Sequence, residues 1–555
     1  MDPSSLAGRI AQIAEKYVVD CVGSPEPPVG LDDVALERPK KAEFGDWATS
    51  IALKLAKPLG KPPREIAEAL ADLIGTIDEV DKVEIAGPGF MNITLDTSAL
   101  GETASQILRE GVHYGHSDAL LGQSINLEFV SANPTGPLHI GHTRWAALGD
   151  SLARVLRAAG ASVTSEFYIN DAGNQMDLFG QSVLAAALGE DPPKDGYQGG
   201  YIDQLAGAVS KEFPDLSSMS HDEALVCARE AAYQRQLDAI RASLEAFNVH
   251  FDVWFSERTL HVMSSPDGSS LVDSSVERLR DQGHVFDEEG AVWVRTTDFG
   301  DDKDRVIRRA NGAYTYFASD AAYYLSKKDR GFGITIYLLG ADHHGYVHRL
   351  KALAGAAGDD PQTDIEVLIG QLVSINGAKL SKRTGNIIEL DDLRQWLGTD
   401  ALRYSLGRYP ADSPLTLEPD ILLSKTNDNP VFYVQYAHAR THQVGRNADA
   451  AGIDGTGFSA ATLAHPSEAE LLAALADYPR IVAQSAELRE PHRIARYLED
   501  LSGSYHRWYD ACRVTPKGDD LIEPVHHSRR VLNDATGQVL ANGLELLGVS
   551  APERM

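Results

Sequence analysis

Cysteine is scarce in this chain. The three present, Cys21, Cys227 and Cys512, lie too far apart in sequence for a disulfide framework or a zinc knuckle. A reducing compartment and no structural metal are the expectation. Long apolar runs are also missing, so none of the roughly 20-residue spans that cross a membrane is expected. Met1 to Val18 reads as an amphipathic helix rather than a signal peptide, which points to the cytoplasm. Positive charge is in short supply, with 51 Lys and Arg against 80 Asp and Glu. A net charge of −29 argues against a broad phosphate-binding surface. The deficit is uneven, however. From Lys425 to Met555, 13 cations face 17 anions, so the preceding 424 residues hold −25 of the total, and 11 of those 13 cations are Arg.

What the chain does have is a pair of short motifs about 240 residues apart, Ser131-Ala132-Asn133-Pro134-Thr135-Gly136-Pro137-Leu138-His139-Ile140-Gly141-His142 and Gly377-Ala378-Lys379-Leu380-Ser381-Lys382-Arg383-Thr384-Gly385-Asn386. An apolar strand over Ile125–Val130 runs into a Pro- and Gly-rich turn, and a helical pattern follows from about Thr143 to a stop at Gly160. His139 and His142 therefore fall at a helix N-terminus, where unpaired N–H groups and the helix dipole favour an anionic phosphate. Gly141 leaves room for a flat adenine. Two satisfied loop histidines remain the plain alternative for this motif alone. The second motif follows a buried strand over Asp364–Ile375 and precedes a helix beginning near Asp391 or Asp392. Its three cations, Lys379, Lys382 and Arg383, suit a loop that closes on a triphosphate and neutralises the leaving pyrophosphate.

The two motifs resemble the paired signatures of class I aminoacyl-tRNA synthetases. Further segments narrow the resemblance to the bacterial arginyl-tRNA synthetases: Tyr168-Ile169-Asn170-Asp171-Ala172-Gly173-Asn174-Gln175, Phe251-Asp252-Val253-Trp254, Gly340-Ala341-Asp342-His343-His344, Asp400-Ala401-Leu402-Arg403, Asn429 to Arg440, and the ending Ala551-Pro552-Glu553-Arg554-Met555. The resemblance implies an α/β fold: a Rossmann-like parallel sheet with a helical insertion, an N-terminal α+β domain and a C-terminal all-α anticodon-binding domain. It implies ATP and Mg²⁺, with tRNA(Arg) and L-arginine as the other partners, no membrane, and activation that requires bound tRNA. A monomer is the expectation. Another class I synthetase or a non-catalytic tRNA-binding paralogue are the rivals; the retained His139, His142, Lys379 and Lys382 disfavour the second.

The chain divides on this reading into residues 1–112, 113–424 and 425–555, with a mostly helical insertion at about 191–300. The first unit has helices at Leu6–Val18, Asp46–Ala56 and Pro63–Leu73, then a hairpin over Val83–Leu95. A linker at Asp191–Gly196 opens the insertion, and the α/β pattern resumes after Arg305 with strands at Ala313–Phe317, Ile334–Leu339 and Val367–Ile375. In the tail, Ile494, Tyr497, Leu498, Leu501, Tyr505, Trp508 and Cys512 follow a helical stripe, which places Tyr505 and Trp508 in a core. Its Arg-rich composition suits a face toward RNA.

By resemblance, catalysis falls to His139, His142, Lys379 and Lys382. ATP binding falls to His139, Gly141, His142, Lys379, Ser381 and Lys382. Arginine falls to Ser131, Ala132, Asn133, His142, Tyr316, Asp320 and His343, where many relatives place Gln at the last position. A guanidinium needs planar, anionic recognition, and Asp320, four residues after Tyr316, supplies the charge. Asp320 also reads as an N-cap for a helix over Ala321–Lys327. Glu257 is a weaker candidate for the same pocket. Phe90 and Asn92, just after Gly87 and Gly89, resemble the patch that holds an unpaired tRNA D-loop base; a core position for Phe90 is the alternative. Met555 belongs to the ending expected to meet tRNA.

Overall fold

The computed structural model describes residues 3–23, 34–39, 44–95, 97–263, 268–376, 388–518 and 520–555. The first unit holds α1 (Pro3–Val22), β1 (Leu36–Glu37), β2 (Trp47–Thr49), α2 (Ile51–Leu59), α3 (Pro63–Ile74), β3 (Val80–Ala86) and β4 (Phe90–Leu95). Its strands form one antiparallel sheet in the order β1-β2-β4-β3. The helix expected over Asp46–Ala56 is two elements. Trp47, with Thr49 beyond it, pairs with β4 and turns fully inward, and the helix begins only at Ile51. A β-branched Thr and a bulky Trp favour the half-buried pleat over a first helical turn.

α4 (Thr97–Glu110) leads into β5 (Ser124–Glu128), α5 (Ile140–Ala158), β6 (Ser162–Ile169), α6 (Asn174–Leu188), α7 (Gly200–Glu212), α8 (His221–Ala246), β7 (Val253–Ser256), α9 (Arg258–His261), α10 (Leu271–Asp281), β8 (Val285–Glu288), β9 (Ala291–Val294), β10 (Arg305–Arg308), α11 (Tyr316–Asp329), β11 (Ile334–Gly340), α12 (Val347–Ala356), β12 (Ile365–Gly370) and β13 (Val373–Ile375). Five strands pair in parallel in the order β12-β11-β5-β6-β7. After β5 the chain adds strands on one side, then returns to the other with β11. The crevice beyond the carboxyl ends of β5 and β11 is thus the switch point at which open parallel sheets bind ligands.

Three expectations change here. The segment read as a mostly helical insertion at about 191–300 is helical at first, through α7 and α8, and again at α9 and α10, but not throughout. Between these pairs it returns β7 to the parallel sheet, and it closes with a separate antiparallel sheet, β10-β9-β8. Ala313–Phe317 is not a strand. Tyr314 makes one bridge to Arg308, Thr315 turns its Oγ1–H onto the Val306 carbonyl at 2.7 Å, and α11 starts at Tyr316. Asp320 consequently lies inside α11 rather than capping it. The long strand over Asp364–Ile375 breaks at Gln371–Leu372. β12 stays in the main sheet, whereas β13 pairs in parallel with β14 (Leu415–Leu417). The break is held from below by Arg144, whose buried guanidinium donates to the carbonyls of Gln371 (3.0 Å), Ser413 (2.8 Å) and Pro410 (2.8 Å).

α13 (Leu390–Leu397), α14 (Thr399–Gly407) and α15 (Pro419–Leu422) lead to the helices of the tail: α16 (Pro430–Ala450), α17 (Pro466–Ala476), α18 (Tyr478–Glu487), α19 (His492–Ala511) and α20 (Pro524–Leu546). Tyr505 and Trp508 on α19 are fully buried, as their spacing predicts. Arg403, the last residue of the Asp400–Arg403 tetrad, ties this bundle to the sheet. Its guanidinium is buried and donates to the Asp150 carboxylate on α5 (2.7 Å) and to the carbonyls of Phe247 (3.1 Å), Asn248 (2.8 Å) and Leu547 (3.0 Å). Asp400 accepts from Gln435 on α16 and from the backbone N–H of Ser550. A second link runs from Arg489 to Glu366 on β12, bidentate at 2.8 and 3.0 Å.

Gly548 has φ +64°, and a Cβ there would stand 2.3 Å from Arg403 Nη2. Gly548→Ala combines left-handed strain with a steric collision at the buried node, so it should destabilise the protein by roughly 2–3 kcal/mol. Thermal or urea unfolding checks this; a shift of the size seen for an ordinary surface substitution would show that the node yields easily.

Candidate active site

The carboxyl end of β5 turns sharply. Val130 and Ser131 both have positive φ, 68° and 36°, which is costly for a β-branched residue and marks a position that its surroundings enforce. The turn folds Ser131 back, so that its hydroxyl donates to Glu128 Oε1 at 3.0 Å and accepts from the Tyr168 N–H at 3.1 Å. The chain then reaches α5, whose N-cap is His139. The His139 Nδ1 accepts from the Gly141 N–H (3.1 Å), and the His142 Nδ1 accepts from the His139 N–H (3.3 Å). The two rings lie 4.0 Å apart. Because each Nδ1 is an acceptor, each proton sits on Nε2, and the N–H groups face away from the helix. Burial lowers the pKa of His139. Burial, and then the neighbouring His139, lower that of His142 to about 4. Both imidazoles are therefore neutral donors at neutral pH, beside a helix N-terminus. A Cβ at Gly141 would come 2.9 Å from the His139 ring, so this glycine first makes room for the cap itself.

These groups open on a cavity of about 730 Å³ at the switch point. One end is acidic. Glu128 lines it and forms a 2.7 Å ion pair with the fully buried Lys327, which is sandwiched by the Tyr323 and Tyr337 rings. Asp320 lines the same end and accepts a hydrogen bond from the Tyr346 hydroxyl. Burial, helped by Glu257 and Glu128, raises its pKa to about 7 despite Tyr346 and Arg349. Glu257 is buried nearby, its pKa raised by burial and by Asp171. The other end is mainly apolar, with Trp145, Gly340, Leu372 and Val373 beside Asp342 and Gln371.

The structure gathers His139, Gly141, His142, Ser131, Asp320 and His343 around this cavity. Ala132 and Asn133 line a second cavity of about 970 Å³, which shares Ser131, His139 and His142 with the first, and Asn133 bonds Gln175. Tyr316 is not brought to either wall. As the first residue of α11 it is 81% exposed, because the helix begins one turn before Asp320 instead of a strand ending there. Lys379, Ser381, Lys382 and Arg383 lie outside the described residues. The chain on the far side of that span does meet the first signature: Ile140 N–H donates to the Ile388 carbonyl (3.0 Å), and Leu390 N–H to that of Leu138 (2.8 Å). Phe90 is 43% exposed rather than in a core, and Asn92 is half-buried. Met555, 58% exposed, borders a groove with Arg554, Arg446 and Arg440, the last stacked between Tyr436 and Tyr509 at 4.7 Å each.

The sequence reading missed Glu128, Trp145, Tyr168 and Tyr346. Tyr168 heads one of the segments quoted above, and Glu128 carried a signal as the acid at the end of a buried strand.

Three family models match in sequence order: the arginyl tRNA synthetase N terminal domain over residues 4–95, the tRNA synthetases class I (R) catalytic domain over 103–396, and the DALR anticodon binding domain over 434–555. The arginine–tRNA ligase of Renibacterium salmoninarum is 62% identical over 523 residues, 94% of each chain. That of Micrococcus luteus is 56% identical over the full length of both. The chain belongs to the arginyl-tRNA synthetase family. The solved Thermus thermophilus arginyl-tRNA synthetase superposes with a TM-score of 0.78 over the whole of both chains, at 24% identity, and so shares the fold. Arginyl-tRNA synthetases charge tRNA(Arg) with arginine in an ATP-dependent reaction, and this chain carries the family's parallel-sheet core, N-terminal unit and helical tail.

The tautomers at the head of α5 are directly measurable. With ¹⁵N-labelled histidine, NMR at pH 7 should show His139 and His142 as neutral Nε2–H rings, and His142 should stay neutral below pH 5. An imidazolium at either position at pH 7 would contradict the assignment.

Proposed function

We propose that the cavity at the head of α5 joins arginine to ATP as arginyl-adenylate and then passes arginine to the terminal ribose of tRNA(Arg). The observation that carries this reading is the polarity of one continuous cavity. Recessed carboxylates stand at one end, neutral N–H donors at a helix N-terminus stand in the middle, and an apolar wall stands at the other end. A permanently charged guanidinium fits the first and a phosphate the second. Asp320 and Glu128 hold the side chain, with Ser131, Ala132, Asn133 and His343 nearer the amino-acid backbone. The exposed position of Tyr316 keeps it out of this set.

His139 and His142 donate to the α-phosphate as the arginine carboxylate attacks it in line. Their neutrality lets them stabilise developing negative charge without competing for the proton balance of the step. Lys379, Ser381 and Lys382, assigned from the second signature, neutralise the departing pyrophosphate. Among the described residues no cluster of three or more His, Cys, Asp or Glu could hold a metal ion. Mg²⁺ on this reading arrives chelated by the triphosphate.

Residues 1–112 would meet the tRNA D-loop through Phe90 and Asn92, residues 113–424 would carry the chemistry, and residues 425–555 would take the anticodon arm, with Met555 at the contact. A cytoplasmic monomer fits the reading. No helix among the described residues is long and apolar enough to cross a membrane.

ATP–pyrophosphate exchange with each of the twenty amino acids, with and without tRNA, tests the proposal. Exchange with arginine alone, and only with tRNA present, is expected; exchange with another amino acid would refute the specificity, and robust exchange without tRNA would refute the coupling. Asp320→Asn should raise the arginine KM roughly 10–100-fold, the worth of a hydrogen bond to a charged group, and leave the ATP KM within twofold. The pH dependence has a definite sign. Guanidinium binds the ionised carboxylate, which in the empty cavity forms as the pH rises through about 7. Binding at lower pH must expel a proton, so the wild-type arginine KM should climb from pH 8 to pH 6 while that of Asp320→Asn stays flat. A flat wild-type profile would remove Asp320 from the contact.

A further inference from the structure

Two glycines end the neighbouring strands β11 and β12 of the parallel sheet side by side. Gly340 closes β11, Gly370 closes β12, and they are register partners. Neither has a positive φ, so the backbone conformation does not require glycine at either place. Space does. A Cβ on Gly370 would fall 1.6 Å from Cη2 and 1.7 Å from Cζ3 of Trp145, whereas a Cβ on Gly340 would meet Asp342 Oδ1 at 2.6 Å and only touch the indole, 3.8 Å from its Nε1. The indole therefore fills the ground above Gly370 and borders Gly340.

Trp145 sits on α5 three residues after His142, on the same face of the helix. It is only 8% exposed, yet it lines the cavity. Arg144, beside it, fixes the backbone that leaves Gly370 through the Gln371 and Ser413 carbonyls. The indole is thus clamped between a rigid helix and a rigid strand end. Leu372 and Val373 add apolar lining at this end, with Asp342 and Gln371 at its edge. Taking the cavity as proposed above, the guanidinium takes the acidic end and the phosphate the head of α5. The purine is then left with the apolar end, and Trp145 is its floor.

We propose that Trp145 sets the depth of the purine compartment and so restricts the nucleotide to an unsubstituted adenine. This rests on the arginine–ATP reading of the cavity and adds a specificity-determining residue to it. A flat ring over the joined ends of β11 and β12 offers stacking surface and leaves no space behind the base for a substituent. Filling by Trp in place of a smaller residue is what Gly370 makes possible.

The test uses the full-length protein with tRNA in the arginine-dependent exchange assay. ATP is compared with N6-benzyl-ATP and 2-chloro-ATP for wild type, Trp145→Phe, Trp145→Leu and Gly370→Ala, alone and combined with Trp145→Leu. In Trp145→Leu, kcat/KM for at least one substituted nucleotide should rise tenfold or more relative to ATP, with the arginine KM within twofold of wild type. Gly370→Ala should push the indole into the compartment and raise the ATP KM tenfold or more, and adding Trp145→Leu should reverse that. Trp145→Phe, which keeps an aromatic floor, should lie between. Substituted nucleotides that stay equally poor in active variants would overturn the inference, as would an arginine KM that rises in step with the ATP KM. So would an unaltered ATP KM in Gly370→Ala, which decides the matter even if Trp145→Leu does not fold. A wild-type protein without arginine-dependent exchange would instead defeat the reading of the cavity itself.

Discussion

One buried ion pair connects the two ends of this molecule. Arg403 and Asp150 meet at 2.7 Å with both side chains out of water, and the guanidinium spends its other donors on the carbonyls of Phe247, Asn248 and Leu547. Four chain segments are held by one side chain: the middle of α5, the end of α8, α14, and the end of α20. A buried guanidinium with unmet donors would be expensive, so each carbonyl is fixed as firmly as the charge. Asn248, itself at φ 58°, returns a hydrogen bond to the Gly548 carbonyl and closes the knot. The consequence reaches the active site because α5 is a single helix. Asp150 anchors its middle to the anticodon-side bundle, and His139 and His142 cap its start.

On the proposed assignment the cavity receives a cation and a polyanion close to each other. The protein separates them by strand ends. Carboxylates descend from β5 and α11, and Lys327 beneath Glu128 keeps that acidic floor from being uniformly negative. The helix N-terminus lies between them and the apolar wall, carrying donors that bear no full charge. On the proposed assignment the fixed cations for the pyrophosphate come from the second signature, whose flanks at Ile388–Leu390 are already laced to Leu138–Ile140. The overall charge of −29 is then no obstacle, since the nucleotide meets dipoles and a local basic run rather than the mean surface.

Much of this was legible because it depended on local chemistry. The strand, Pro/Gly turn and helix of the first signature follow from residue types alone, and the apolar stripe of α19 placed Tyr505 and Trp508 in the core. The parallel sheet was what the family resemblance implied. What was not legible depended on distant partners. The break at Gln371–Leu372 exists because Arg144, more than 200 residues earlier, claims the Gln371 carbonyl. The strand read at Ala313–Phe317 became a helix start because Thr315 found the Val306 carbonyl, and that shift carried Tyr316 out of the cavity. The apolar pattern of α5 gives Trp145 no special place; the role proposed for it rests on Gly370, a distant strand end that its ring fills.

The central claim is that Arg403 and Asp150 act as one unit joining the signature helix to the tail. A double-mutant cycle with Arg403→Met and Asp150→Asn, read by denaturant unfolding, tests it most directly. Each single change should cost roughly 3–5 kcal/mol because it strands a buried partner, and the double variant should cost at least 1.5 kcal/mol less than their sum, a coupling typical of contacting pairs. Additive single effects would contradict the account, showing that the two residues stabilise their own segments independently and that no shared node binds α5 to α20.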